Sequence, residues 1–166
     1  MTTGDKRWGS IRLLALDVDG TLTDGSLYYS GDGVIQRFSA RDGAGIIEAL
    51  RAGLKVALVS FRDFPATRCR AADLGIPAGL LHLGCPDKAA ALRGICERLS
   101  IPLDEALFMG DDLVDIPAME EAGIAACPGS GHRLAREAAH HVTAAAGGDG
   151  AVREVVDLVL EARNGP

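Results

Sequence analysis

The chain has 166 residues and a formal net charge of −6 at pH 7, with 48% hydrophobic and 24% charged residues. That is enough for one globular domain with a real core. The acidic balance argues against a nucleic-acid groove or an anionic membrane surface as partner, and no apolar stretch reaches the roughly 18 residues that a membrane span needs. Cys69, Cys85, Cys96 and Cys127 form no C-x-x-C pair, and no apolar leader precedes Trp8. A cytoplasmic protein with cysteines as small core residues is the expectation.

In chain order, residues 1–10 read as a loose tail with Trp8 packing beneath it. Residues 11–16 (Ile-Arg-Leu-Leu-Ala-Leu) read as a buried strand that delivers Asp17-Val18-Asp19-Gly20-Thr21-Leu22-Thr23 at its end. Gly31-Asp32-Gly33 between two aromatic or branched runs predicts a β-hairpin. A helix over 44–52 stops at Gly53, and a second strand over 54–59 ends at Ser60. Pro65 opens a helix that Gly75 closes. Asp87 caps a helix over 88–99. A third strand over 106–109 ends at Gly110-Asp111-Asp112, and Pro117 starts a short helix. A fourth strand over 123–126, a helix over 133–139, a short strand over 141–143 and a final helix over 152–162 complete the chain. Alternating strands and helices predict an α/β fold, a mostly parallel sheet flanked by helices, with residues 1–166 as a single domain.

A parallel sheet would gather Asp17, Asp19, Ser60, Asp111 and Asp112 at one edge, with Lys88 nearby at a helix start. Carboxylates crowded into one crevice need a compensating cation. A divalent ion held by Asp17 and Asp111 would screen attack on a phosphate dianion, and Mg²⁺ suits few carboxylates plus water. Ser60 offers a hydrogen bond and Lys88 a fixed positive charge to a phosphate oxygen. Asp19 can protonate a leaving alcohol and then deprotonate water. Each residue alone is ordinarily a turn former, helix cap or solvated side chain; their joint order along the chain makes the case. His82, His132, His140 and His141 read as surface or strand-end histidines.

These motifs, D-V-D-G-T-L-T (17–23), Ser60, Lys88 and G-D-D (110–112), resemble the haloacid dehalogenase (HAD) superfamily of phosphatases. With R-D-G-A-G (41–45) and G-G-D-G-A-V-R-E (147–154) the chain is similar to the Kdo-8-phosphate phosphatase subfamily. That subfamily also holds nonulosonate 9-phosphate phosphatases and domains linked to acylneuraminate cytidylyltransferases. The resemblance implies a Rossmann-like HAD fold with a β-hairpin insertion and no cap domain. It also implies a Mg²⁺-dependent phosphomonoesterase for a small phosphorylated sugar acid. Asp17 would become an aspartyl phosphate; Asp19 would be the acid/base and lend its backbone carbonyl to the metal; Asp111 would ligate it and Asp112 support the metal shell. Ser60 and Lys88 would hold the phosphoryl group, and Arg62 and Arg70 would lie near the sugar. A homotetramer would complete each site, its hairpins packing through Tyr28, Tyr29, Val34 and Ile35.

Two positions depart from the subfamily pattern. Ser60-Phe61-Arg62 stands where Ser/Thr-Gly-Arg is usual, and Asp149 where Arg is common. They keep two readings beside Kdo-8-phosphate hydrolysis: a nonulosonate phosphate as substrate, or a non-catalytic assembly module associated with a cytidylyltransferase. A signalling receiver domain also pairs carboxylates with a lysine, but it lacks the second Asp two residues beyond the first.

Overall fold

The computed structural model describes residues 7–165. Its centre is a six-stranded parallel sheet in the order β5-β4-β1-β6-β7-β8. The strands are β1 (Leu13–Leu16), β4 (Lys55–Ser60), β5 (Leu81–Leu83), β6 (Ala106–Met109), β7 (Ile124–Cys127) and β8 (His141–Val142). β1, β6 and β7 are buried at every position, as strands with helices on both sheet faces must be. A separate antiparallel hairpin, β2 (Tyr28–Ser30) and β3 (Gly33–Ile35), turns at Gly31-Asp32 with Ser30 opposite Gly33.

The strand order and the general right-handedness of parallel crossovers divide the helices between the two faces. α2 (Ala40–Arg51) packs with α3 (Pro65–Leu74) and with α7 (Ala151–Asn164). On the other face α5 (Ile116–Glu121) packs with α4 (Lys88–Leu99) and α6 (Arg133–Ala138). The core between them is aliphatic, with Phe108 its largest fully buried side chain.

Local chemistry sets most of the boundaries. Pro65 starts α3, and Gly75 ends it in the left-handed region at φ +79. Asp87 accepts the Ala90 N–H to cap α4. The residues expected as a tail are a short helix at their end: α1 (Arg7–Ser10) lies against α7, and Trp8 meets His141 edge-on at 5.5 Å. Residues 1–6 lie outside the described residues. α2 begins at Ala40 rather than at residue 44, because Ser39 caps it through the Asp42 N–H. Gly43 and Gly45 are packing positions there, not breakers. A Cβ at Gly43 would strike the Arg70 guanidinium, and one at Gly45 would press on Arg153. Cys96 and Cys127 are buried as expected, but Cys69 is exposed on α3.

Candidate active site

The sheet order puts β1 between β4 and β6, so the C-terminal ends of these strands open side by side at the point where chain direction across the sheet reverses. Leu16 stands opposite both Leu58 and Met109, and the next residue, Asp17, is pinned by its N–H to Met109 O at 2.9 Å. The loop then folds on itself: Val18 O accepts N–H groups of Thr21, Leu22 and Thr23. Gly20 takes φ +90 at this turn, and a Cβ there would run into the Asp111 carboxylate. The close approach of loop to acid therefore requires glycine.

Asp17, Asp19, Ser60, Arg62, Lys88, Asp111 and Asp112 all line one cleft of about 250 Å³, together with Phe61, Val114 and Asp115. Lys88 is 4% exposed and donates from Nζ to Asp17 Oδ1 and Asp115 Oδ1, both at 2.6 Å. Asp115, fully buried, accepts the N–H groups of Asp111 and Asp112 on its other oxygen, at 2.9 and 3.0 Å. Carboxylate oxygens of Asp17, Asp111 and Asp115 lie within 4.8 Å of one another.

Burial, with the Asp115 charge next, pushes Asp17 well above the usual carboxylate range despite Lys88. Burial likewise raises Asp111 to about 6, with Asp115 and Asp112 adding to it. For Lys88 burial works to lower the pKa, but the charges of Asp17 and Asp115 outweigh it and hold the ammonium above its ordinary value. Three carboxylates against one ammonium leave two negative charges when all are ionised, the deficit one divalent cation fills. The donor set, hard oxygens at short mutual distance, fits such an ion.

Asp19 stands outside that trio. Its Oδ1 accepts from Gln36 Nε2 at 2.9 Å, and Arg62 Nε lies 3.8 Å from Oδ2. Ser60, 2% exposed, accepts the Arg62 N–H on Oγ at 3.2 Å. The Arg62 guanidinium sits 5.9 Å over the Phe64 ring, and Phe61 is 61% exposed at the cleft.

Two expected site residues stand apart from the buried acids. Asp112 borders the cleft, but its side chain is exposed and caps the following turn through Leu113 N–H. The acid grouped with Asp17 and Asp111 is Asp115, three residues beyond Asp112 in G-D-D-L-V-D. Arg70 does not line the cleft: it donates to Ser39 O at the start of α2 at 3.2 Å and pairs with Asp73 of its own helix at 2.7 Å.

Residues 80–155 match the model of the haloacid dehalogenase-like hydrolases. The chain is 41% identical over 155 residues to the 3-deoxy-D-manno-octulosonate 8-phosphate phosphatase KdsC of Escherichia coli K12, covering 93% of this chain and 81% of that one. The chain belongs to this phosphatase family. Solved structures agree with the assignment. The Moraxella catarrhalis 3-deoxy-D-manno-octulosonate 8-phosphate phosphatase, in complex with magnesium ion, phosphate ion and KDO, superimposes with TM-score 0.92 at 36% identity, covering 96% of this chain and 91% of that one. The cobalt-bound Haemophilus influenzae phosphatase gives 0.91 at 36% identity, covering 95% and 92%. The mostly parallel sheet and helix layers described above are the HAD fold that the motifs implied.

Proposed function

We propose that this chain, as one HAD phosphatase domain over residues 1–166, is a Mg²⁺-dependent phosphomonoesterase that hydrolyses Kdo-8-phosphate through an aspartyl phosphate on Asp17. The carrying observation is the buried Asp17–Lys88–Asp115 arrangement beside Asp111, with Ser60 and Asp19 in the same cleft. The KDO-bound relative supports the substrate class. Asp17, Asp111 and Asp115 would hold the ion, with the backbone carbonyl of Asp19. When bound, the ion supplies charge screening between the carboxylate nucleophile and the phosphate dianion.

Asp17 attacks phosphorus as the ester oxygen departs, and Asp19 gives that oxygen its proton. Water then attacks phosphorus, Asp19 takes the water proton, and the anhydride bond between phosphorus and the Asp17 carboxyl oxygen breaks, which releases inorganic phosphate and the free carboxylate. Ser60 and the third Lys88 N–H steady the phosphoryl oxygens. Arg62, half exposed and braced by Phe64, faces the substrate carboxylate. We place the enzyme in the cytoplasm as a homotetramer whose hairpins meet. All the acids and Lys88 are in place in one cleft, and no observation favours the non-catalytic reading.

The test is phosphate release from Kdo-8-phosphate, a nonulosonate 9-phosphate and hexose phosphates, with Mg²⁺ and with chelator. Kdo-8-phosphate should lead by tenfold or more in kcat/KM, about 1.4 kcal/mol of differential binding. Asp17→Asn should abolish turnover with the fold intact. Preference for a hexose phosphate, or activity in Asp17→Asn, refutes the proposal.

A further inference from the structure

We propose that Gln36 is a positioning residue for proton transfer at Asp19, with its amide held in one orientation by Thr67. The inference rests on Asp19 being the acid/base group of the reading above.

Gln36 follows the hairpin and is 8% exposed, and Thr67, in the first turn of α3, is 2% exposed. Thr67 Oγ1 donates to Gln36 Oε1 at 2.8 Å, and Gln36 Nε2 donates to Asp19 Oδ1 at 2.9 Å. A glutamine amide has one acceptor end and one donor end, and the surrounding bonds decide which way it faces. With the hydroxyl donating to Oε1, the N–H end faces the carboxylate. While Asp19 is ionised, the flipped amide would set Oε1 against Oδ1, two acceptors in contact with no proton between them.

This arrangement has an atom-level consequence. Oδ1 is occupied by an N–H donor, so a proton carried by Asp19 resides on Oδ2. That oxygen lies toward Arg62, which lines the cleft. As the phosphorus–oxygen bond to the leaving group breaks, the leaving oxygen takes the proton from Oδ2. In the second half-reaction water returns a proton to the same oxygen. Gln36 touches no reacting atom; it fixes which carboxylate oxygen does the work and keeps the carboxyl from rotating. Alignment of this kind acts on the chemical step and not on substrate affinity.

The experiment uses the Mg²⁺-loaded full chain and compares two substrates. Kdo-8-phosphate has a poor alkoxide leaving group that needs the proton; 4-nitrophenyl phosphate releases a stabilised phenolate that does not. Gln36→Met keeps the length and removes the donor. Thr67→Val keeps the shape and frees the amide to flip, and Thr67→Ser restores the hydroxyl. Expected are a tenfold or larger fall in kcat for Kdo-8-phosphate in Gln36→Met, with KM within twofold, and an unchanged pre-steady-state burst of 4-nitrophenolate. Thr67→Val should fall part of the way, and Thr67→Ser should recover. Equal loss of the Kdo-8-phosphate rate and of the 4-nitrophenolate burst, or a raised KM at constant kcat, overturns the proposal by showing that the Gln36–Thr67 bond only shapes the backbone. Because Gln36→Met could fail to fold, Thr67→Val judged alone by the same substrate ratio decides the matter in that event. Asp19→Asn separates the two failures. If Asp19→Asn is inactive on Kdo-8-phosphate while Gln36→Met matches wild type, this inference falls and the functional reading stands; if Asp19→Asn is fully active, both fall.

Discussion

A lysine shared at 2.6 Å by Asp17 and Asp115, both buried, is stabilised by each of them, yet Asp111 adds a third carboxylate to the same cluster. Burial first, and the crowding of negative charge after it, raises the pKa of Asp17 and that of Asp111, the latter to about 6. A carboxyl whose folded pKa exceeds its unfolded value near 3.9 favours the folded state below that value, and the contribution is lost as pH rises through the folded pKa. The metal-free protein should therefore lose stability in urea unfolding as pH climbs from about 4 through about 6 and beyond. Mg²⁺ binds the ionised carboxylates and should offset that loss, raising Tm most at pH 7 and above. A metal-free protein whose stability rises through this window would contradict this charge balance. Lys88→Met removes the ammonium from between two buried acids and should cost about 3–5 kcal/mol at pH 8, as broken buried pairs do. The penalty should shrink at pH 5, where the acids take up protons instead.

At the scale of elements, α7 opens at Gly150, which has no side chain to cap it. Asp42 of α2 does so from a distance, accepting the N–H of Gly150 at 3.1 Å and that of Arg153 at 2.9 Å. This ties α2 to α7 and holds in place the Gly147-Gly148 segment, which lies against the backbone of Gly20 and Thr23 in the Asp17 loop. Asp42→Ala should cost about 1–2 kcal/mol, the size of a lost cap, and lower Tm by about 2–8 °C in a calorimetric scan. No change in Tm would mean that water replaces the cap. The sequence announced helices whose ends are decided locally, such as Pro65 to Gly75 and the one capped by Asp87. It could not announce what tertiary packing decides. Gly43 falls outside the helix expected from residue 44, and the reason for its small size appears only when Arg70 is found against it. β5 is three half-buried residues visible only through pairing with β4. At the site, Asp17, Ser60 and Asp111 could be read from strand ends. Asp115 could not, because its partner Lys88 lies 27 residues away in sequence. Gln36 had no local signal at all, its contacts being 17 and 31 residues distant.

At the scale of the whole molecule, three of the large exposed apolar side chains among the described residues, Tyr28, Tyr29 and Ile35, lie on the hairpin. Tyr28 and Ile35 pair across the strands and are 56% and 59% exposed; Tyr29, paired with Val34, is 74% exposed. Two strands this short are marginal alone, and large apolar side chains on an exposed ribbon mark a surface built to be covered. The hairpin stands between Asp19 and Gln36 in sequence, so whatever steadies it also steadies the segment that reaches the Asp19 carboxylate. In the proposed tetramer the cover is the hairpins of other copies. Sedimentation velocity of the intact protein should give fourfold the 17.3 kDa chain mass, and Ile35→Asp should shift it to smaller species, since burying an unpaired charge at such a contact is costly. If neighbouring copies complete the site, the same variant should lose at least tenfold in kcat/KM on Kdo-8-phosphate while hydrolysing 4-nitrophenyl phosphate nearly as well. The reason is that Asp17, Lys88, Asp111 and Asp115 all lie in one chain and need no neighbour for the phosphoryl step. An Ile35→Asp protein that sediments as wild type would remove the hairpin from the interface. One that dissociates yet keeps full activity on the sugar acid would show that each chain carries a complete site.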